Sequence, residues 1–387
     1  MSNLYAKSIT VLQENQTANG AFTACPSFPA YQYSWLRDGT FIAHALDRTG
    51  HHQAAKRFYQ WVDTAIRGQA SRIGRLVEKT ADGSILFAED FLPARYSFDG
   101  SALEDDWPNF QLDGYGAWLW GLAEHADLTN DYEFLTELNG SVRLTLDYLK
   151  LCWMLPCFDC WEEHGNQVHP STLACLAGGI ARIGQVTNDK AAIGLAAEIK
   201  RYFMRYAIKD GRLTKFCLDR PSGRSVSLTN ARVNTPPLEA GGSVDASLLW
   251  ASAPFGLLEP GDPVMVNTVQ AIDRALLKAG GVHRYSLDTY YGGGPWILLT
   301  AWLGWYYSRA GRLEEARSCL TWIETQADAD DFLPEQTARN LNDPASYQPW
   351  VDQRGTIAKP LLWSHAMYLI LCEESQKTVR EETAECI

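Results

Sequence analysis

An all-α fold of about a dozen helices is what this 387-residue sequence predicts, on three observations. Apolar residues recur with a period near 3.6 over one stretch after another, strand-like alternation is confined to two short runs, and no βαβ alternation appears. No charged or Pro/Ser-rich linker divides the chain, and the absence of a fixed-period repeat disfavours a solenoid. A bundle pair and a closed double ring of helices both satisfy the pattern.

The helical segments run, in order, over Gly39 to Asp47, His52 to Ile66, Leu112 to Ala126, Tyr132 to Cys152, Ser171 to Gln185, Ala191 to Tyr206 and Asp245 to Leu258. They continue over Pro263 to Lys278, Trp296 to Ala310, Leu313 to Thr325 and Lys359 to Glu373. Asn188-Asp-Lys, Gly261-Asp-Pro and Gly311-Arg supply the stop and start residues expected between helices. Gly83 to Phe87 and Leu213 to Phe216 read as strands of small hairpins.

The connections carry more information than the helices. Phe22 to Asp38, Glu89 to Gln111, Trp161 to Pro170, Gly280 to Pro295 and Asp331 to Thr356 are long and rich in Trp, Tyr, Asp, Glu and Gly. Aromatic, Gly-rich loops of this length are more often functional than disordered, so they are expected to build one shared site.

Bulk properties narrow the ligand. A net charge of -12 argues against nucleic acid and anionic membrane as partners, both of which require a surplus of Lys and Arg. The expected ligand is neutral or cationic. Trp 14 and Tyr 17 point to either a large aromatic core, which must account for most of them, or a site lined with rings, since flat apolar rings suit carbohydrate. The N-terminal residues lack the pattern of a signal peptide, and no apolar run approaches a membrane span, so a cytoplasmic protein is expected. Nine scattered cysteines fit reduced thiols better than a disulfide framework. Cys157-Phe-Asp-Cys160 has the spacing of a metal or redox pair but lacks a second CxxC or an HxxxH, so no metal and no cofactor are expected.

Three motifs carry chemistry. Trp161-Glu162-Glu163-His164-Gly165 sets two carboxylates beside an indole, and a carboxyl held against an apolar ring keeps its proton, as a donor must. Leu333-Pro334-Glu335-Gln336 places a second acid in a loop shared with Tyr347 and Trp350. Glycoside hydrolysis needs such a pair, one carboxyl protonating the departing oxygen and the other, in inverting enzymes, deprotonating a water. Tyr31-Gln-Tyr33-Ser-Trp35-Leu-Arg37-Asp38 joins Arg to Asp at a helix start, a fork able to hold two neighbouring hydroxyls. Taken singly, these motifs also fit solvated acids or an ion pair at a helix start. With the clusters at Trp107 to Gly114 and Arg284 to Trp296, five loops set charge beside rings. No GxSxG, Walker loop, HExxH or strand-borne GxGxxG competes.

In their order along the chain, these motifs resemble glycoside hydrolase family 15, the glucoamylase family: YxYxWxRD at Tyr31 to Asp38, WxxxQxDG at Trp107 to Gly114, WEE at Trp161 to Glu163, RYxxDxYxGGxxW from Arg284 to Trp296, PEQ at Pro334 to Gln336, and LLWSHA at Leu361 to Ala366. The resemblance implies one catalytic (α/α)6 barrel spanning residues 1–387, with its pocket at one end. It implies Glu162 as general acid, Glu335 as general base and Tyr31 as a residue positioning the water. Arg37, Asp38 and Arg284 would bind the terminal glucose, Trp107 and Trp161 would line the pocket, and Glu163 and Trp363 would lie near the next unit. The implied activity is inverting, exo-acting release of β-glucose from small α-gluco-oligosaccharides, α-1,6 such as isomaltose or α-1,4. A trehalase of the same family and a non-catalytic sugar-binding module are the alternatives. Pro334 stands where the family usually has a small polar residue, and the chain has room for neither a β-sandwich before the barrel nor a starch-binding module after it.

Overall fold

The computed structural model describes residues 3–103, 105–218, 226–227 and 244–385. Its helices are α1 (Asn3–Glu14), α2 (Leu36–Arg48), α3 (His52–Gly68), α4 (Ala70–Asp82), α5 (Asp113–Thr129), α6 (Tyr132–Glu137) and α7 (Asn139–Cys152). They continue with α8 (Pro170–Val186), α9 (Lys190–Tyr206), α10 (Pro263–Ala275), α11 (Ile297–Arg309), α12 (Leu313–Glu324), α13 (Tyr347–Arg354) and α14 (Leu362–Glu385).

Packing closes these helices into a ring. Helix α2 packs on α5, α5 on α8, α8 on the 3-10 helix Ala246–Ala251, that helix on α11, α11 on α14, and α14 back on α2. A second ring lies outside it: α1 on α14, α3 on α2, α7 on α3, α9 on α8, α10 on the 3-10 helix and α12 on α11. This is the (α/α)6 barrel. The inner helices are apolar on every side because they are surrounded, as in α11, where every residue from Ile297 to Ser308 is buried. Outer helices bury one stripe, which in α3 comprises Ala54, Ala55, Phe58, Tyr59, Trp61, Val62, Ala65 and Ile66. Helices α5 and α8 approach so closely that a Cβ at Gly179 would lie 2.0 Å from the Gly116 carbonyl oxygen, and glycine is required there.

Several expected elements differ. Asp245 to Leu258 is helical only over Ala246–Ala251, as a 3-10 turn, because Pro254 has no N–H and its ring disfavours helix before it. Tyr132 to Cys152 is two helices broken at Leu138, with Asp131 capping the first through the Phe134 N–H. The last helix starts at Leu362 rather than Lys359, after Pro360, and continues past Glu373 to Glu385. Helices α1, α4 and α13 lie outside the segments read from periodicity. Paired strand residues are few: Ser34–Trp35 pairs antiparallel with Arg95–Tyr96, Leu86–Phe87 falls within the first expected run, and Arg212–Leu213 begins just before the second.

Among the described residues, no helix is long and apolar enough to cross a membrane. Their eight cysteines are all unbridged thiols. Burial pushes Cys157 and Cys160 well above the ordinary thiol range, the opposite of a metal-ready or nucleophilic pair.

Each loop singled out in the sequence feeds the N-terminus of an inner-ring element: Tyr31 to Trp35 leads into α2, Trp107 to Leu112 into α5, Trp161 to His169 into α8, Arg284 to Trp296 into α11 and Leu333 to Leu361 into α14. Inner helices alternate with outer ones running the other way. All these loops therefore gather at one end of the barrel.

Candidate active site

The carboxylates Glu162 and Glu335 stand on either side of two packed rings, Tyr31 and Trp35, whose centroids are 5.8 Å apart in a T-shaped contact. The Trp35 indole N–H donates to Glu162 Oε1 at 2.8 Å, and the Tyr31 hydroxyl donates to Glu335 Oε1 at 3.0 Å. One short segment, pinned by the pairing of Ser34–Trp35 with Arg95–Tyr96, thus positions both acids.

Glu162 sits in a tight turn with φ at +66°, the left-handed region that favours glycine. Holding a non-glycine residue there costs on the order of 1 kcal/mol, and such strain persists where surrounding contacts over-determine it. Those contacts are the Trp35 N–H, the Gln111 amide donating at 3.2 Å, and the Arg37 guanidinium at 3.9 Å. The indole beside Glu162 in sequence does not hold it. Trp161 instead donates its N–H to Asp245 at 3.1 Å and stacks on Trp302.

Glu335 is 3% exposed. Burial pushes its carboxyl up to about 8, against the hydrogen bond from Tyr31 and the positive Arg284. Its second oxygen accepts no hydrogen bond of ordinary geometry, although the Tyr290 hydroxyl acts on the same carboxyl, which leaves acceptor capacity for a water or hydroxyl. Tyr31 is itself held by a 3.0 Å hydroxyl contact with Tyr290, whose ring packs edge-on against Trp350 of α13.

The remaining expected residues converge on the same end. Arg37 donates to Asp113 and to Gln111, each at 2.9 Å, and lies 3.4 Å from Asp38. Its partner of choice is therefore Asp113, on the neighbouring inner helix α5. Burial raises the Asp38 carboxyl to about 7 despite Arg37, and its Oδ1 accepts no hydrogen bond, its neighbour being the Arg37 Nε of the 3.4 Å ion pair. Arg284 is held through Nε by Asp288 at 2.8 Å and reaches Glu163 at 3.3 Å. Glu163 also accepts the Tyr285 hydroxyl at 2.5 Å, so both its oxygens are engaged. Trp363 is buried at the start of α14 beneath the Arg37 guanidinium and stacks on Phe41. The half-buried Trp107 ring stacks on the Arg95 guanidinium at 3.8 Å, which Asp105 pairs at 2.7 Å.

Sequence reasoning missed Tyr290, Gln111 and Asp113 as site members, although all three lie inside the motifs it quoted. It missed Lys215 and Asp245 altogether. Lys215 donates to Asp245 at 2.7 Å, and both are buried behind Trp161. This places a buried ion pair under the loop that carries Glu162. Lys215→Met leaves the Asp245 charge unpaired in the interior, so stability is expected to fall by roughly 3 to 5 kcal/mol. Chemical denaturation measures it; an unchanged midpoint would mean that Asp245 is neutral or solvated.

Electrostatically, one buried rim holds two separated carboxyls, two fixed guanidinium groups, and indole N–H groups of Trp107 and Trp363 without protein partners. Such an array binds a polyhydroxylated neutral ring and can deliver a proton on one side while taking one on the other.

The known proteins that this chain is similar to are glycoside hydrolases. A family model described as glycosyl hydrolases family 15 matches residues 1–373. The chain is 39% identical over 381 residues to an isomaltose glucohydrolase of Kribbella flavida, covering 97% of this chain and 93% of that one. It is 30% identical over 380 residues to an uncharacterized glycosyl hydrolase of Methanocaldococcus jannaschii, of which it spans 54%. A solved glycosidase in complex with glucose superposes with a TM-score of 0.88 at 38% identity over 96% of each chain.

Proposed function

The chain belongs to glycosyl hydrolases family 15 and is an enzyme that hydrolyses glucosides, and from that premise we propose that it releases glucose from the non-reducing end of isomaltose and short α-1,6-linked oligosaccharides, with inversion. The observation that carries the chemistry is the pair Glu162 and Glu335 set on opposite sides of the Tyr31–Trp35 contact. The α-1,6 preference rests on similarity to the isomaltose glucohydrolase over nearly the whole of both chains.

In this reading the terminal glucose enters the pocket ring first, with its outer hydroxyls on Arg37, Asp38 and Arg284. The Asp38 carboxyl, ion-paired with Arg37 but accepting no hydrogen bond at Oδ1, has acceptor capacity left for such a hydroxyl. Trp107 and Trp161 give its faces apolar cover, and Glu163, fixed by Arg284 and Tyr285, borders the next unit; Trp363, expected beside that unit, instead lies beneath Arg37 at the end that takes the terminal glucose. Glu162 protonates the glycosidic oxygen as the bond to C1 breaks. A water held by Glu335 and Tyr31 attacks C1 from the opposite face, and Glu335 takes its proton. The product is β-glucose, and residues 1–387 act as one catalytic domain.

Time-resolved proton NMR on maltose, isomaltose, isomalto-oligosaccharides and trehalose tests this reading. Early β-anomer from isomaltose is the expected result. Early α-anomer would overturn inversion, trehalose as the preferred substrate would overturn the linkage, and no release from any of the four would leave a binding module.

A pH dependence follows from the burial of Glu335. The base works ionised, and its proton affinity is raised, so kcat/KM is expected to rise as pH climbs through the raised value. The acidic limb then lies well above the ordinary carboxylate range, toward about 8. A limb near 4 to 5, the usual range of a solvated carboxyl, would mean that the pocket carries enough water to relax Glu335.

A further inference from the structure

The motif Leu361 to Ala366 has entered the site only through Trp363, yet two residues after that ring, and directly behind Glu335, lies a histidine the mechanism does not use. His365 and Ser8 are both fully buried. The backbone N–H of Leu333 points at His365 Nε2 at 3.0 Å, and the Ser8 hydroxyl lies 2.8 Å from His365 Nδ1. An amide N–H can only donate, so Nε2 must be the unprotonated acceptor. The ring proton therefore sits on Nδ1 and goes to the Ser8 oxygen. Burial lowers the proton affinity of the ring to about 3, with Lys7 acting in the same direction and Asp328 against it, which keeps the ring neutral.

We propose that His365 is a positioning residue for the general-base loop, locked by Ser8 in the tautomer whose Nε2 seats Leu333 and thereby aims Glu335. The proposal rests on Glu335 being the base.

Five hydrogen bonds anchor the backbone of Leu333 to Glu335. Leu333 O accepts from Leu361 N at 3.0 Å, Pro334 O from the Ser364 hydroxyl at 2.8 Å, and Glu335 O from Ile297 N at 3.3 Å, while Glu335 N donates to Ala358 O at 2.9 Å. Those four are indifferent to the state of any ring. The fifth, His365 on Leu333 N, turns into two facing donors if the proton moves to Nε2. Pro334 transmits the placement: its fixed φ allows little slack between the Leu333 amide and the Glu335 side chain. Here the proline that departs from the family pattern acquires a use. Ser8 belongs to α1, so an outer-ring helix would set the aim of the catalytic base from behind the barrel wall.

Three variants test it: His365→Leu, His365→Gln and Ser8→Ala. The Leu variant is expected to lower kcat about 100-fold with KM within about twofold, since a displacement of order 1 Å costs about that much. Gln offers Oε1 where Nε2 accepted, and is expected to recover at least about tenfold of the loss. Ser8→Ala frees the tautomer and is expected to fall between them. Equal rates for Leu and Gln, or a change confined to KM, would overturn the proposal.

A readout independent of variant folding is the nitrogen NMR spectrum of histidine-labelled native protein. A protonated Nδ1 on His365 is expected, and a protonated Nε2 overturns the proposal outright. Adding His365→Leu to Glu335→Gln should cost nothing further in the residual rate, because the group being aimed is gone. A full further loss would show that His365 acts elsewhere. Full activity of Glu335→Gln would overturn the base assignment itself, a failure the tautomer measurement does not share.

Discussion

Glu335→Gln is expected to lower kcat by roughly 10²- to 10⁴-fold while raising the thermal stability of the protein. The amide keeps the shape of the carboxyl and can still accept the Tyr31 hydroxyl at Oε1, so the pocket persists. It cannot take a proton from water. The stability gain comes from the same burial that raises the carboxyl to about 8. A carboxyl whose proton affinity is higher folded than unfolded supports the fold below the unfolded pKa and loses that support as pH rises through the folded value. At pH 7 the unfolded chain ionises this group while the folded chain resists, a cost of roughly 3 kcal/mol that glutamine removes. Differential scanning calorimetry at pH 5 and pH 7 checks it: the gain should appear at pH 7 and shrink toward pH 5. A loss of stability at both pH values would mean that Glu335 carries a structural contact that glutamine cannot reproduce.

Glu162→Gln is expected to cost a similar factor on a disaccharide but far less on α-glucosyl fluoride, whose departing fluoride needs no proton. The split between the two substrates separates an acid from a base, since Glu335→Gln removes activation of the water and penalises both alike. The amide oxygen introduced by Glu162→Gln would still accept from Trp35 and Gln111, so the strained turn should survive. Equal losses on both substrates would reassign Glu162 to binding or to water activation.

Much of the fold was legible because the inner ring declares itself. Segments such as Asp113 to Thr129 and Ile297 to Arg309 are apolar on all faces without being long enough to span a membrane, which only a surrounded helix can be. Helix α4 escaped notice because it buries only Ile73 and Leu76, too few positions to set a period. Helix α13 buries none. The site was legible where acid and ring are neighbours in sequence, and it misled where they are not: the indole on Glu162 is Trp35, from another loop. Lys215 and His365 were invisible for the same reason. In Leu213-Thr-Lys-Phe, Lys215 reads as a surface lysine, and only the ring closure places it under Trp161 against Asp245.

Ring closure also imposes an order on biosynthesis. Helix α2 finds one flank only in α14, which is made much later; Arg48 and Glu374, 326 positions apart, are ion-paired across that seam. At a translation rate of ~5–20 residues per second, the first-made wall waits roughly 15 to 65 s for its partner. Until then its apolar flank is open to nascent-chain chaperones. Tyr31 and Glu335, 304 positions apart, meet across the same closure, so the catalytic pair is assembled by the step that completes the wall.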